Sequence, residues 1–364
     1  MKLTHIAYCT GPAQLVYLLG SLEVCDVSLD SLTMQPAGLP GVRNAVVQVS
    51  KHMGIKVVDP ALLPTHSVMR VMMHRFRAKR ANQVAYWYCR GGIPTAPAVM
   101  RNLRKNMPDV VFEYYDGLRS PIVARKLRSG FRHMIGQLVK EKLLKPDRYF
   151  IQEDSLWRQY ASIIVQARTS YIPIDVIRRK IKLVGGILDD LNRPQSYLGD
   201  SPGVVLITGR FAEYGLDISL ADEIRMYEDI LQTVRSVSRK VPILTKTHPR
   251  SSLEKMSCLE TICAGYNAQL YAEQQLIEFI LEESRQRDVV AIGPPSTALL
   301  NTLSFSYGTA LVLSQQFIAS YLGDMYNNDW WFAQDHELMT AAGVTTLNSL
   351  PQLVQLLQEQ KIGC

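Results

Sequence analysis

Three apolar runs of this chain each end in a residue that can do chemistry. The first is VPILTKTHPR, from Val241 to Arg250. Proline cannot extend a central strand ladder, and it biases the residue before it toward an extended backbone. Ile243 to Thr247 therefore reads as a strand with His248 at its carboxyl end, on the rim of a sheet, where open α/β folds bind ligands. Alternation along a strand puts Lys246 and His248 on one face, and Arg250 follows. An imidazole flanked by two cations can donate a hydrogen bond to a phosphate and, protonated, meet the charge of a leaving group; the plainer reading is a surface histidine. The second run is VVAIGPPST, ending in Ser296 and Thr297. These residues start a helix after a strand, so free N–H groups, the helix dipole and two hydroxyls form an anion site, or simply an ordinary cap. The third is VVFEYYDG, Val110 to Gly117. Asp116 closes it at a tight turn, where a carboxylate can serve as general base toward a hydroxyl or only stabilise the turn. Glu113 points to the opposite face if the strand is regular.

The elements that must position these residues alternate along the chain. Its 364 residues, 47% apolar and 20% charged, are long for a single core and suit two domains. Leu3 to Tyr8 reads as a strand, Cys9 to Gln14 as a turn and Ala13 to Val24 as a helix. The full Gly-x-Gly-x-x-Gly fingerprint is missing, so a dinucleotide site is not supported. Gly11 and Pro12 instead start a helix whose N-terminus faces the site. Helix 45–53, strand 55–58, helix 68–83, strand 84–89, helix 97–106 and strand 110–115 follow, which argues for a parallel sheet covered on both faces. A long helical region, 120–144, precedes a strand at 149–152 and a helical pattern over 154–188. Asp190 to Gly203 is rich in turn formers and reads as a linker. Beyond it the alternation restarts with a strand at 204–208 that ends in Gly209 and Arg210. Ser219 to Asp222 resembles a capping box, and Leu220, Ile224, Tyr227, Leu231 and Val234 form one apolar helix face. Tyr271 to Glu273 leads into a helix at 274–283. A strand at 289–292, a helix at 296–303, a strand at 310–313 and a terminal helix at 350–358 complete the chain. The expected class is α/β and GT-B-like, with two Rossmann-like domains facing a central cleft. Their spans are 1–190 and 203–348, with a C-terminal helix over 349–364.

Charge and cysteine content narrow the partners. The net charge is +7, concentrated in 66–80 and 119–148. Such runs are solvated helix faces or a surface for an anionic partner. No nucleic-acid signature accompanies them, so nucleic acid is not expected, whereas an anionic glycan or an acidic membrane surface fits. No 18-residue apolar run predicts a membrane span, and the N-terminus is too short and polar for a signal peptide. The six cysteines show no paired spacing and read as reduced thiols of a cytoplasmic protein; Cys258 and Cys263, five apart, match no common zinc spacing. Trp330 and Trp331 read as a local packing cluster or as a wall of the cleft.

The three motifs, in this order, resemble the motif set of bacterial GT-B sialyltransferases and polysialyltransferases, which carry an acidic-acidic-Gly motif, a His-Pro motif and a Ser/Thr motif. Thr10 to Gln14 after the first strand, the long helix before the His-Pro strand, and Tyr271 to Glu273 ahead of a helix are also similar. The resemblance implies a CMP-activated donor held by the C-terminal domain. It gives His248 the CMP phosphate and its departure, Ser296 and Thr297 the same phosphate, and Glu273 the ribose or cytosine. Lys246, Arg250, Gly209 and Gly11 complete the binding set. Asp116 takes the acceptor proton, with inversion at the anomeric carbon and neither metal nor cofactor. Tyr115 stands where the family has its first acidic residue, which leaves Asp116, Glu113 or a group of the substrate as the base. It also leaves the donor sugar as sialic acid, another nonulosonic acid or Kdo. The implied role is glycan transfer in capsule or lipopolysaccharide synthesis by a cytoplasmic enzyme. Its basic helices would face an anionic glycan or glycolipid acceptor or the inner membrane surface. Two other classes stay open: a UDP-sugar epimerase or hydrolase on the same architecture, and a non-catalytic binder of anionic glycan.

Overall fold

Two parallel sheets, each wound outward from its first strand, organise the chain. The structure, a computed structural model, describes residues 4–36, 40–58, 84–89, 110–114, 147–153, 169–192, 203–214, 218–248, 251–271, 276–283, 288–323, 336–337 and 339–360. The chain divides into two compact units, Met1–Leu191 and Asn192–Cys364.

The first unit holds β1 (Thr4–Cys9), α1 (Pro12–Val24), β2 (Leu32–Pro36), α2 (Pro40–His52), β3 (Lys56–Val57), β4 (Val84–Cys89), β5 (Val110–Tyr114), β6 (Arg148–Gln152), β7 (Thr169–Ile172) and α3 (Ile174–Asn192). The strand order is β3-β2-β1-β4-β5-β6-β7. Sheets covered on both faces need strands apolar on both faces, and β1 and β4 supply them, buried almost end to end. Trp87 of β4 is the hub. Its ring centroid lies 4.3 Å from that of Phe112 on β5 and 5.3 Å from that of Phe150 on β6. Its indole N–H donates to His5 Nδ1 at 3.0 Å, which satisfies the one polar atom the ring buries.

The second unit holds β8 (Val204–Ile207), α4 (Leu220–Val237), β9 (Ile243–Lys246), α5 (Leu253–Gly265), β10 (Gln269–Tyr271), α6 (Ile277–Glu283), β11 (Val289–Gly293), α7 (Thr297–Ser304), β12 (Gly308–Leu313), α8 (Gln315–Leu322), β13 (Thr345–Leu347) and α9 (Leu350–Glu359). Its order is β10-β9-β8-β11-β12-β13. The order reverses at β8 and β11, and such a switch point opens a crevice at the strands' carboxyl ends. Helices α4, α5, α7, α8 and α9 are each N-capped by a serine hydroxyl, from Ser219, Ser252, Ser296, Ser314 and Ser349. Met226, Ile230, Leu231 and Val234 of α4 pack in one core with Leu353 and Leu357 of α9. Each such side chain contributes about 1.5–3 kcal/mol by leaving water.

The structure differs from the sequence reading in several places. β2, β7, β10 and β13 were not expected as strands, nor α5 and α8 as helices. The helical pattern over 154–188 is interrupted by β7, and α3 runs on to Asn192, past the expected start of the linker at Asp190. The apolar face of α4 is also displaced: Leu220 and Ile224 are only half-buried, while the carboxylate of Glu223 is in the interior. The terminal helix α9 packs on α4 and is part of the second unit.

Candidate functional site

At the switch point of the second unit, β8 lies between β9 and β11. Adjacent strands are about 4.8 Å apart, so the ends of β9 and β11 stand about 10 Å apart astride β8. Three turns leave the sheet there: Thr208 to Ala212 after β8, Thr247 and His248 after β9, and Pro294 to Ser296 after β11. Glycines let the first and third approach each other. A Cβ on Gly293 would lie 2.5 Å from the Ile207 carbonyl oxygen, and one on Gly209 would lie 3.2 Å from Pro294 Cγ and 2.9 Å from the Phe211 ring. The Gly-Pro-Pro turn therefore seats directly on the end of β8.

His248 is half-buried, two residues beyond β9, and its carbonyl accepts the Ser251 N–H at 2.9 Å. That bond turns the chain toward Ser252, the cap of α5. The Thr247 N–H still donates to the Tyr271 carbonyl at 3.1 Å, and the last residue of β9 is Lys246. Its ammonium is buried, donates to the Thr247 carbonyl at 3.0 Å and lies 5.0 Å from the centroid of the Tyr271 ring. Ser296 has an extended backbone, and its Oγ accepts the Leu299 N–H at 3.3 Å. Its hydroxyl hydrogen can still be donated, and Thr297 opens the helix. His248 and the Ser296 turn thus leave the sheet on either side of β8, with the Gly209 turn between them.

Of the other expected residues, Gly209, Gly11 and Glu113 are among those described. Gly209 has no backbone group to spare: its N–H donates to the Tyr227 hydroxyl at 2.6 Å, and its carbonyl accepts from Lys255 Nζ at 2.8 Å. It serves close packing and the turn. Gly11 is the N-cap of α1 in the first unit, extended at φ −178°, with room for a Cβ only 3.0 Å from Val42 Cγ1. The backbone of Glu113 pairs with Tyr88 and Tyr149 in the first sheet. Asp116, Arg250, Glu273, Trp330, Trp331, the basic stretch 66–80 and nearly all of 119–148 lie outside the described residues.

Beneath the β8 turn is a cluster that motif reading missed. The Lys255 ammonium, fully buried, pairs with Glu223 Oε1 and, at 3.3 Å, with Glu213 Oε2. The Tyr227 hydroxyl donates to Glu223 Oε1 at 3.3 Å. The N–H groups of Phe211 and Ala212 donate to the two oxygens of Glu223 at 3.4 and 2.9 Å. Burial first, then the neighbouring Glu223 carboxylate, raises the Tyr227 hydroxyl well above its ordinary pKa, so it stays protonated. Among the described residues, no group of three or more His, Cys, Asp or Glu side chains is placed to hold a metal ion, and no helix is long and apolar enough to cross a membrane.

Comparison with known proteins agrees with this strand order. Residues 148–315 match the alpha-2,8-polysialyltransferase (POLYST) family model. The matched segment takes in the last two strands of the first sheet and most of the second unit, including His248, Ser296 and Thr297. The resemblance read from the motifs is borne out. A sialyltransferase from Photobacterium damselae, residues 113–497 corresponding to its GT-B domain, superposes with a TM-score of 0.51 at 9% identity, covering 94% of this chain and 97% of that one. A second structure of a sialyltransferase from Photobacterium damsela gives 0.50 at 8% identity, covering 96% and 82%. No curated protein sequence matches. At such identities the structures establish the fold, and the fold is GT-B. The polysialyltransferase-family match supports a sialyl glycosyltransferase.

Proposed function

We propose that this chain is an inverting glycosyltransferase. It moves a sialic acid, or a related nonulosonic acid or Kdo, from a CMP donor to a glycan hydroxyl in capsule or lipopolysaccharide synthesis. The observation that carries this reading is the placement of His248 and Ser296 on either side of β8 at the switch point of the second unit, within the family-matched segment. A phosphate seated above β8 would meet the His248 imidazole on one side. On the other it would meet the Ser296 and Thr297 hydroxyls and the first N–H groups of α7. In the reaction the bond from the anomeric carbon to the CMP oxygen breaks, and the acceptor oxygen bonds to that carbon from the opposite face. The acceptor proton passes to Asp116 or Glu113. His248 and the α7 amides meet the charge left on CMP, and donors aimed at developing charge are the largest catalytic lever of such sites. Lys246 and Arg250 add positive charge, and Glu273 takes the ribose or cytosine. The basic stretches 70–80 and 125–145 would bind an anionic acceptor or the inner membrane surface.

His248→Ala tests the assignment. It is expected to lower kcat by about 10²–10³-fold with the fold intact. Thermal-shift titration with CMP, UDP, GDP and CDP tests the donor, since a ligand that prefers the folded state raises Tm. Selective stabilisation by CMP is the expected result. A response to UDP and none to CMP would move the chain to a nucleotide-sugar epimerase or hydrolase. Undiminished kcat in His248→Ala would remove His248 from the reaction, and binding of anionic glycan with no transfer by the wild type would make the chain a binder.

A further inference from the structure

We infer that Lys255 is a positioning residue of the donor site, fixing the turn after β8 and the turn after β9 in one mutual arrangement; the inference rests on the donor-site reading above. A lysine ammonium has three donors. Here they meet three acceptors: Glu223 Oε1, Glu213 Oε2 at 3.3 Å and the Gly209 carbonyl at 2.8 Å. The acceptors in turn hold backbone. Glu223 takes the Phe211 and Ala212 N–H groups, Glu213 Oε1 takes the Ser252 N–H at 2.9 Å, and Tyr227 takes the Gly209 N–H. Past Thr208, whose N–H still donates to the Lys246 carbonyl, these described backbone groups bond side chains of the cluster instead of a ladder. Lys255 itself sits in the first turn of α5, where its own N–H donates to Ser252 Oγ at 3.2 Å. Ser252 directly follows Ser251, whose N–H is bonded to the His248 carbonyl. One buried ammonium therefore joins the turn after β8 to the start of α5, and so to Ser251, which is bonded to the His248 carbonyl.

The cluster is not itself the anion site, since two carboxylates accompany one ammonium. Its placement is also a poor way to gain stability, because a buried ion pair is often no better than apolar residues of the same volume. What it supplies is a fixed geometry for groups that must hold a phosphate without rearranging.

The test compares the full chain with Lys255→Met, Glu223→Gln combined with Lys255→Met, and Tyr227→Phe. Each is followed by Tm without ligand, by calorimetric titration with CMP, and by the pH dependence of His248 read from its imidazole NMR signals. The double variant leaves no unopposed Lys255–Glu223 charge. It is expected to regain most of the Tm lost in Lys255→Met, yet to bind CMP about tenfold more weakly than wild type, with a displaced His248 titration. Tyr227→Phe keeps the packing and removes only the hydroxyl; it is expected to weaken CMP binding about fivefold, as loss of one hydrogen bond would. Wild-type CMP affinity and an unchanged His248 titration in the double variant would reduce the cluster to a structural role. So would unaltered CMP affinity in Tyr227→Phe, should the double variant fail to fold. Absence of CMP binding by the wild type would instead sink the donor-site reading, and this inference with it.

Discussion

Two ionic clusters of similar make-up sit in opposite surroundings. In the first unit Glu23 of α1 bonds Arg179 and Lys180 of α3 at 2.7 and 2.5 Å, and Arg179 also bonds Asp175 at 2.5 Å. In the second, Lys255 bonds Glu223 and Glu213. The contacts are comparably short, yet the Glu23 side chain is 38% exposed and Arg179 56%, against 0% for both Lys255 and Glu223. When the outer cluster opens, water takes over each charge; when the inner one opens, nothing does. The outer one ties side chain to side chain, whereas the inner one ties side chains to the amides of two turns. A short N···O distance therefore says little about energy until burial is known.

The largest expected effect tests the inner cluster. Lys255→Met strands the Glu223 carboxylate in the interior and is expected to cost about 3–5 kcal/mol, or roughly 10 °C in the Tm of the second unit. Denaturant unfolding monitored on that unit measures it. A loss no greater than that from breaking the Glu23 cluster would end the contrast.

Glu278 offers an intermediate case. Its carboxylate, on α6, is buried and accepts from Asn301 Nδ2 at 2.8 Å. Burial raises its pKa, and the Asn301 hydrogen bond and the Lys246 charge only partly oppose the rise. A raised native pKa means stability that is complete below the unfolded value and lost as pH climbs through the native one. Glu278→Gln is therefore expected to raise Tm at neutral pH, by about 2–4 °C, with the gain vanishing below pH 4.5. A Tm series from pH 4 to 8 reads this directly. An equal change at every pH would show that the charge, once buried, is fully compensated.

How far these features were legible in the sequence follows the same division. Strand β4 matched its expected span, Val84–Cys89, because a short continuous apolar run rich in aromatic residues has few other uses. His248 and Ser296 could be placed at strand ends because proline marks the stop after each ladder. Ser219 did cap α4, by a bond to the Asp222 N–H at 3.4 Å. The three-residue strands β10 and β13 could not be read, since only pairing with a neighbouring strand makes them strands. Lys255 was invisible for a related reason. In sequence it is a lysine in a polar first helical turn, and its partners lie 32, 42 and 46 residues away. One signal was there to use. Glu223 and Tyr227 stand four apart on a helix whose other interior positions are apolar, and a carboxylate on such a face requires a partner. Gly209 taught the converse: a glycine at a strand end was expected to approach the ligand, and it is spent on Phe211, Pro294 and the cluster.

The smallest effect is expected at Glu23. Hydrogen bonds from Lys180, then from Arg179, lower its pKa against a minor opposing effect of burial. A lowered native pKa means stability that is present above the unfolded value and lost as pH falls through the native one. The contribution is small because the side chains are wet: Glu23→Gln is expected to shift Tm by no more than about 2 °C. Salt separates the two clusters more sharply than mutation alone. At 1 M ionic strength the screening length falls to about 3 Å, so the Glu23→Gln deficit should vanish. The Lys255→Met deficit should persist, because ions cannot enter where water does not. Melting both variants at low and high salt decides it. A Glu23→Gln deficit that survives high salt would mean that the outer cluster acts through packing of α1 on α3, and exposure would no longer be what distinguishes the two.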